Sequence, residues 1–223
     1  SEQQEKAIDL LQAWRDKEPA WRWSNGKSPY ANWSRYEADL NLAMVRAYSG
    51  DLPTAQRDLE SMVEIAPGNG GLQSALGSVY MMRGWPRMAL QRQQMAHALD
   101  PRDIEPRLGM EEAYVALQRD DLARPLHDDL VARYPTQPAV ERMDQAWRAH
   151  RGWQLKAWTD IGRSSGGGGT SPLGNNDRHY GVEVQTPVLD DRWRLFALAD
   201  RRSVDFQDQR IDPLWLGAGV RYR

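Results

Sequence analysis

Cysteine is absent from the 223 residues, and phenylalanine nearly so, with two copies against ten tryptophans. Without cysteine there is no disulfide framework, thiol nucleophile or zinc-thiolate site, although the compartment stays open. A basic excess is missing too: 29 Lys and Arg against 31 Asp and Glu leave a formal charge of -2, which argues against a nucleic-acid partner. No run of about 18 apolar residues occurs, so no transmembrane helix is expected. The opening "SEQQEKAIDLL" carries neither Met nor a signal-peptide pattern, as expected of an interior piece of a longer chain. What the chain does have is tryptophan, whose polar handle suits wet or interfacial surfaces.

Chemistry-bearing patterns are also sparse. His97, His127, His150 and His179 are scattered, and only His127 has carboxylates close by, Asp128 and Asp129, which cannot share its helical face well. The stretch "SSGGGGTS" lacks the Lys-Ser/Thr ending of a phosphate loop and reads as a flexible connection. No spacing singles out an acid/base pair of carboxylates. No enzyme activity, metal or cofactor is expected.

The stretch "LGSVYMMRGWPRMALQRQQMAHALDP" places Leu76, Gly77, Tyr80, Ala89 and Pro101 on the tetratricopeptide pattern of L-G-x2-Y, then Ala, then Pro. The Ala-to-Pro spacing recurs as Ala55 to Pro67, Ala89 to Pro101 and Ala123 to Pro135, each set 34 residues after the last. Small residues let two antiparallel helices approach, and the proline ends the second helix. Repeats are therefore expected at about 36–69, 70–103 and 104–137, with a closing helix at 138–151. Ala7, Leu11, Trp14 and Pro19 fit the second helix of a partial repeat at 1–21, completing a solenoid over 1–151.

In such a solenoid the first helix of each pair lines the concave wall where partners dock. The residues expected there are Glu37, Leu40, Met44 and Tyr48, then Ser74, Ser78, Met81 and Met82, then Glu105, Leu108, Glu112 and Val115. Packing between helices competes as the role of Met81, Met82 and Leu108, whereas Glu105 and Glu112 are expected in solvent. Between Pro19 and Pro67 the chain exceeds one repeat by 14 residues, in "WRWSNGKSPYANWSR". Trp21, Trp23, Tyr30 and Trp33 stand there among the turn residues Asn25, Gly26 and Pro29. Two roles are open to them: stacking on sugar rings or a partner, or covering the end of the solenoid.

Beyond Gly152 the period changes from helical to alternating. Trp153, Leu155, Ala157, Thr159 and Ile161 fall on one side; Gln154, Lys156, Trp158 and Asp160 fall on the other. Tyr180 to Val188 repeats the pattern with Glu183 and Gln185 opposite, and Leu214 to Tyr222 repeats it with Arg221 opposite. Trp193 to Arg201 is less regular, because Phe196 and Leu198 join the polar side. The connections run long (Ser164 to Asp177), tight (189–191) and long again (Ser203 to Pro213). That order suits an outer-membrane barrel with long outer loops and short periplasmic turns. A soluble antiparallel sheet with one buried face would show the same alternation. Four strands cannot close a membrane barrel, so 152–223 would be the first part of one. The expected fold class is α+β: a tetratricopeptide α-solenoid followed by antiparallel strands of an incomplete transmembrane β-barrel.

The combination of repeats containing "GWPRMAL", the helix "AVERMDQAWRAH" and the strands "VQTPVLDDRWRLFALADRR" and "WLGAGVRYR" resembles the outer-membrane exporters of poly-N-acetylglucosamine. Bacterial cellulose exporters share the plan and are the nearest alternative; a soluble interaction scaffold carrying a small β domain is another. The resemblance implies a Gram-negative outer-membrane porin whose repeats lie in the periplasm. Its implied partners are a periplasmic polysaccharide deacetylase, the poly-N-acetylglucosamine polymer of biofilms, and outer-membrane lipid. Partial deacetylation makes the polymer cationic, so Trp158, Asp160 and Glu183 would suit it from the lumen side.

Overall fold

The computed structural model describes residues 2–163, 176–206 and 209–222. Eight helices form among them: α1 (Glu2–Lys17), α2 (Trp33–Tyr48), α3 (Leu52–Ile65), α4 (Gly70–Met82), α5 (Pro86–Leu99), α6 (Glu105–Ala116), α7 (Asp120–Arg133) and α8 (Pro138–Arg151). The starts of α2, α3 and α4 follow from short polar side chains that satisfy orphan amides. Asn32 accepts from the Ser34 amide at 3.2 Å, Asp51 from Thr54 at 3.3 Å and Asn69 from Leu72 at 3.2 Å. Proline in the first turn of α3, α5 and α6 costs no helical hydrogen bond.

The helices pair as the spacing requires, α2 with α3, α4 with α5 and α6 with α7, and α1 packs on α2. A continuous core runs through Ala43, Ala47, Ala55, Leu59, Leu72, Leu76, Tyr80 and Ala89. Burying a side chain such as Leu76 completely contributes about 1.5–3 kcal/mol. The glycines of α4 and α6 serve close approach. A Cβ on Gly77 would lie 2.8 Å from Gln93 Nε2, and one on Gly109 would lie 2.6 Å from the same atom. Gln93 of α5 thus reaches both neighbouring helices and is held by Ser74, accepting from its hydroxyl at 3.0 Å and donating to its carbonyl at 3.1 Å.

The turn from first to second helix is set by one left-handed residue per repeat. Gly50 (φ 97°), Gly84 (φ 74°) and Gln118 (φ 59°) stand 34 positions apart, immediately past each helix end. Glycine adopts that conformation freely, but glutamine does not.

The 14-residue excess forms a hairpin of β1 (Trp21–Ser24) and β2 (Ser28–Ala31), with Trp21 opposite Ala31 and Trp23 opposite Pro29. Asn25 (φ 49°) and Gly26 (φ 70°) supply the positive dihedrals of a tight hairpin turn.

The remaining strands are β3 (Gln154–Arg163), β4 (Asn176–Gln185), β5 (Trp193–Phe206), β6 (Gln209–Ile211) and β7 (Leu214–Tyr222), in one antiparallel sheet. β3 pairs β4, β4 pairs β5, and β5 pairs both β6 and β7. The connection expected from Ser203 to Pro213 is therefore mostly sheet: β5 continues to Phe206 and β6 returns along it, pairing Val204 with Ile211. Continued pairing satisfies backbone groups that a loop would leave to water. The tight turn does form, with Asp190 and Asp191 left-handed and Leu189 bridged to Trp193. Of the glycine-rich connection Ser164 to Asp177, positions 164–175 lie outside the described residues.

The chain divides into two compact units, 1–140 and 141–223. Within the second, Arg194 is completely buried. Its guanidinium donates to the carbonyls of Thr186 (2.5 Å), Gly152 (2.9 Å) and His150, joining the end of α8 to β5. Arg151 adds an ion pair with Asp191 and accepts the Val188 amide on its carbonyl at 3.1 Å.

Two substitutions test this account. Gln118→Gly removes left-handed strain and is expected to raise stability by about 0.5–1 kcal/mol in denaturant unfolding, while Gly84→Gln lowers it. Arg194→Ala strips three carbonyls of a charged donor and should cost about 2–4 kcal/mol, read as an earlier thermal transition in detergent.

Candidate functional site

The first helices of the pairs stand side by side, α2 next to α4 and α4 next to α6. On this row Glu37, Tyr48, Glu105 and Glu112 are exposed. Five expected contact residues, Leu40, Met44, Ser74, Ser78 and Met81, are engaged within the solenoid. Ser74 bonds Gln93, Ser78 donates to the Ser74 carbonyl at 3.1 Å, and Met81 packs against the core. The row therefore presents carboxylates, a tyrosine and the exposed Met82.

Beneath those carboxylates lies one the pattern did not single out. Glu111 is 5% exposed and Asp120 1% exposed. Burial, then the charges of Glu112 and Asp120, push the Glu111 pKa up to about 7. Burial of its own carboxylate also raises Glu112, though that residue as a whole reaches solvent. A signal for Glu111 did exist in the spacing. Ala43, Gly77 and Glu111 are 34 apart, so a carboxylate occupies the place where the other two repeats keep a small residue between paired helices.

The hairpin aromatics are open to solvent: Trp21 is 60% exposed, Trp23 62%, Tyr30 50% and Trp33 65%. Trp33 meets Tyr36 at 4.8 Å between ring centroids and leaves its other surface free. None of the four is buried against the end of the repeats.

In the sheet the register sorts every residue onto one of two faces. Leu155, Ala157, Ile161, Tyr180, Val182, Val184, Trp193, Leu195, Leu214, Leu216, Val220 and Tyr222 share the apolar face. It is uncovered, with Leu155 72% and Leu216 75% exposed. Its margins differ in character. Trp193 and Tyr222 meet at 4.6 Å near the α8 end, and Arg201 pairs with Asp212 at 2.8 Å toward the other.

The opposite face carries Trp158, Asp160 and Glu183, as alternation required. His179 lies between Asp200 (2.7 Å) and Asp160 (3.3 Å), and Arg221 reaches Glu183 at 2.9 Å. Large side chains on this face settle over cross-strand glycines: Trp158 over Gly181, Phe196 over Gly219 and Leu198 over Gly217. A Cβ at Gly181 would fall 2.0 Å from the Trp158 ring. This explains Phe196 and Leu198 on the polar side, since each fills the gap its glycine partner leaves. Among the described residues no group of three His, Cys, Asp or Glu side chains is placed to hold a metal ion, and no helix is long and apolar enough to cross a membrane.

Paired helices on a 34-residue repeat, followed by an antiparallel sheet, define a tetratricopeptide-repeat protein with a β unit. A thermophilic tetratricopeptide repeat protein of Thermus thermophilus shares that repeat fold, with a TM-score of 0.50 and 18% identity over 65% of this chain and 74% of its own. In sequence the chain is a relative of the poly-beta-1,6-N-acetyl-D-glucosamine export proteins of Escherichia coli strain K12 and O157:H7, 36% identical to each over 186 residues. The alignment takes in 82% of this chain and 22% of each relative, so the chain spans about a fifth of their length. No protein-family model matches it.

Glu111 generates a pH prediction. Its folded pKa lies above the unfolded value of 4.5, so the folded state holds the extra proton between that value and about 7. Stability is therefore greatest at or below the unfolded pKa and falls as pH rises through about 7. The loss is on the order of 2–4 kcal/mol. Glu111→Gln should flatten the decline in thermal midpoint between pH 5 and 8, whereas an unchanged decline would place its cause elsewhere.

Proposed function

We propose that this chain is the junction of a polysaccharide exporter, carrying poly-N-acetylglucosamine across the outer membrane of a Gram-negative bacterium. The repeats work in the periplasm, and β3 to β7 begin the wall of a barrel. The observation that carries the reading is the uncovered apolar face of the sheet, backed by a face of ion pairs and aromatic rings. A soluble domain would cover such a face with protein, whereas acyl chains cover it in a barrel. The name of the two relatives supplies the cargo.

In this reading the polymer meets two acidic stations. Glu37, Glu105 and Glu112 on the first-helix row attract amines exposed by partial deacetylation, and the same row receives a periplasmic polysaccharide deacetylase. Past the junction, Asp160 continues the attraction along the lumen and Trp158 offers a ring for stacking, whereas Glu183 is buried and held by Arg221. Nothing here requires bond chemistry: the chain binds and guides rather than catalyses.

The full chain is expected to need detergent to remain monodisperse, and to retain a partly deacetylated β-1,6-linked glucosamine oligomer on a column. Glu105→Ala with Glu112→Ala should weaken retention about fivefold at low salt, the difference shrinking as salt rises. A chain that is monodisperse without detergent points to the soluble scaffold instead. Equal retention of cellulose oligosaccharides removes the assignment of cargo.

A further inference from the structure

The β1–β2 hairpin is an insertion that the repeat does not need, and its side chains are an unusual set. Residues 21–31, "WRWSNGKSPYA", contain three aromatics, yet no Val, Ile, Leu, Met or Phe and no carboxylate. Trp21 and Trp23, two apart on one strand, project to the same face about 7 Å from each other. Both are more than half exposed. The root beneath them is pinned. Asn32 donates through Nδ2 to Glu18 Oε2 and to the Pro19 carbonyl, each at 2.8 Å, and its amide bonds the Ala20 carbonyl at 3.1 Å. Arg35 donates to the carbonyls of Arg15 and Glu18, both at 3.0 Å. Two indoles held apart on a braced ribbon lose little conformational freedom on binding a flat apolar surface.

The charges nearby narrow the ligand. Arg22 and Lys27 are the ionised groups of the hairpin, and the adjoining Glu18 is committed to Arg22 at 2.8 Å and to Asn32. A polyamine finds no free anion on this ribbon. An uncharged sugar does find what it needs: indole faces, with Pro29 and Ala31 directly across from them, for its C–H surface and acetyl methyl.

We infer that the Trp21–Trp23 face of the hairpin is a saccharide platform that takes neutral, N-acetylated hexosamine stretches, complementing the acidic row that takes deacetylated ones. The inference rests on the export reading and refines it, since one polymer carrying both kinds of unit would engage both surfaces.

Calorimetric titration of the full chain in detergent tests it with two probes, a fully acetylated β-1,6-linked N-acetylglucosamine pentamer and its fully deacetylated counterpart. Trp21→Ala with Trp23→Ala should weaken the acetylated pentamer about tenfold and leave the deacetylated one within about twofold. Trp21→Tyr with Trp23→Tyr should restore most of the acetylated affinity. The far-UV spectrum and melting of the helices should not change, because both side chains lie on the surface. Unchanged affinity for the acetylated pentamer in the alanine pair overturns the inference, as does equal loss of both probes. A halved particle mass in the alanine pair without an effect on sugar would assign the face to a second copy instead. Failure of both pentamers to bind the unaltered chain defeats the export reading, whereas binding of the deacetylated one alone defeats only the platform.

Discussion

The helical unit depends on how closely the two helices of each pair can approach. At the contact stand Ala43, Gly77 and their partners Ala55 and Ala89, all buried without remainder. Only small side chains permit that distance, and the distance brings Leu59, Leu72, Leu76 and Tyr80 into one core. The third pair keeps Ala123 but places Glu111 opposite, with Asp120 beside it. Its carboxylate tolerates the interface by holding a proton to about pH 7, so the pair nearest the strands in sequence is the one whose packing responds to pH.

The strand unit obeys a different constraint. β4 and β5 find backbone partners on both sides in long pairing ladders, while β3 and β7 are paired along one side. Side chains then divide by parity into an uncovered apolar face and a polar one. Glycines on the polar face are what make it smooth: Gly181, Gly217 and Gly219 receive Trp158, Leu198 and Phe196 flat against the backbone. Where helix gives way to strand, Arg194 donates to the carbonyl of His150 in the last turn of α8 and to that of Gly152 just past it.

These surfaces differ in the chemistry they offer a polymer. The first-helix row is acidic, the hairpin aromatic and free of carboxylates, and the polar strand face combines both through Trp158 and the Asp160–His179–Asp200 row. A polysaccharide that alternates between cationic and acetylated units would meet matching groups at each.

Periodicity was legible from the chain itself. Three sets of alanine and proline 34 residues apart determine the helix pairs, because a small residue and a helix stop are local requirements that repeat with the unit. Alternation likewise determined which strand residues share a face, so Trp158, Asp160 and Glu183 fell together as expected. Only the tertiary structure decided which exposed-looking positions are spent on packing, as Ser74 and Ser78 are, and which charged ones are buried, as Glu111 and Arg194 are. It also turned Trp21 and Trp23 from residues on an irregular excess into neighbours on a braced ribbon. The reason is physical: period and turn chemistry are properties of adjacent residues, whereas burial and pairing depend on what distant segments bring within reach.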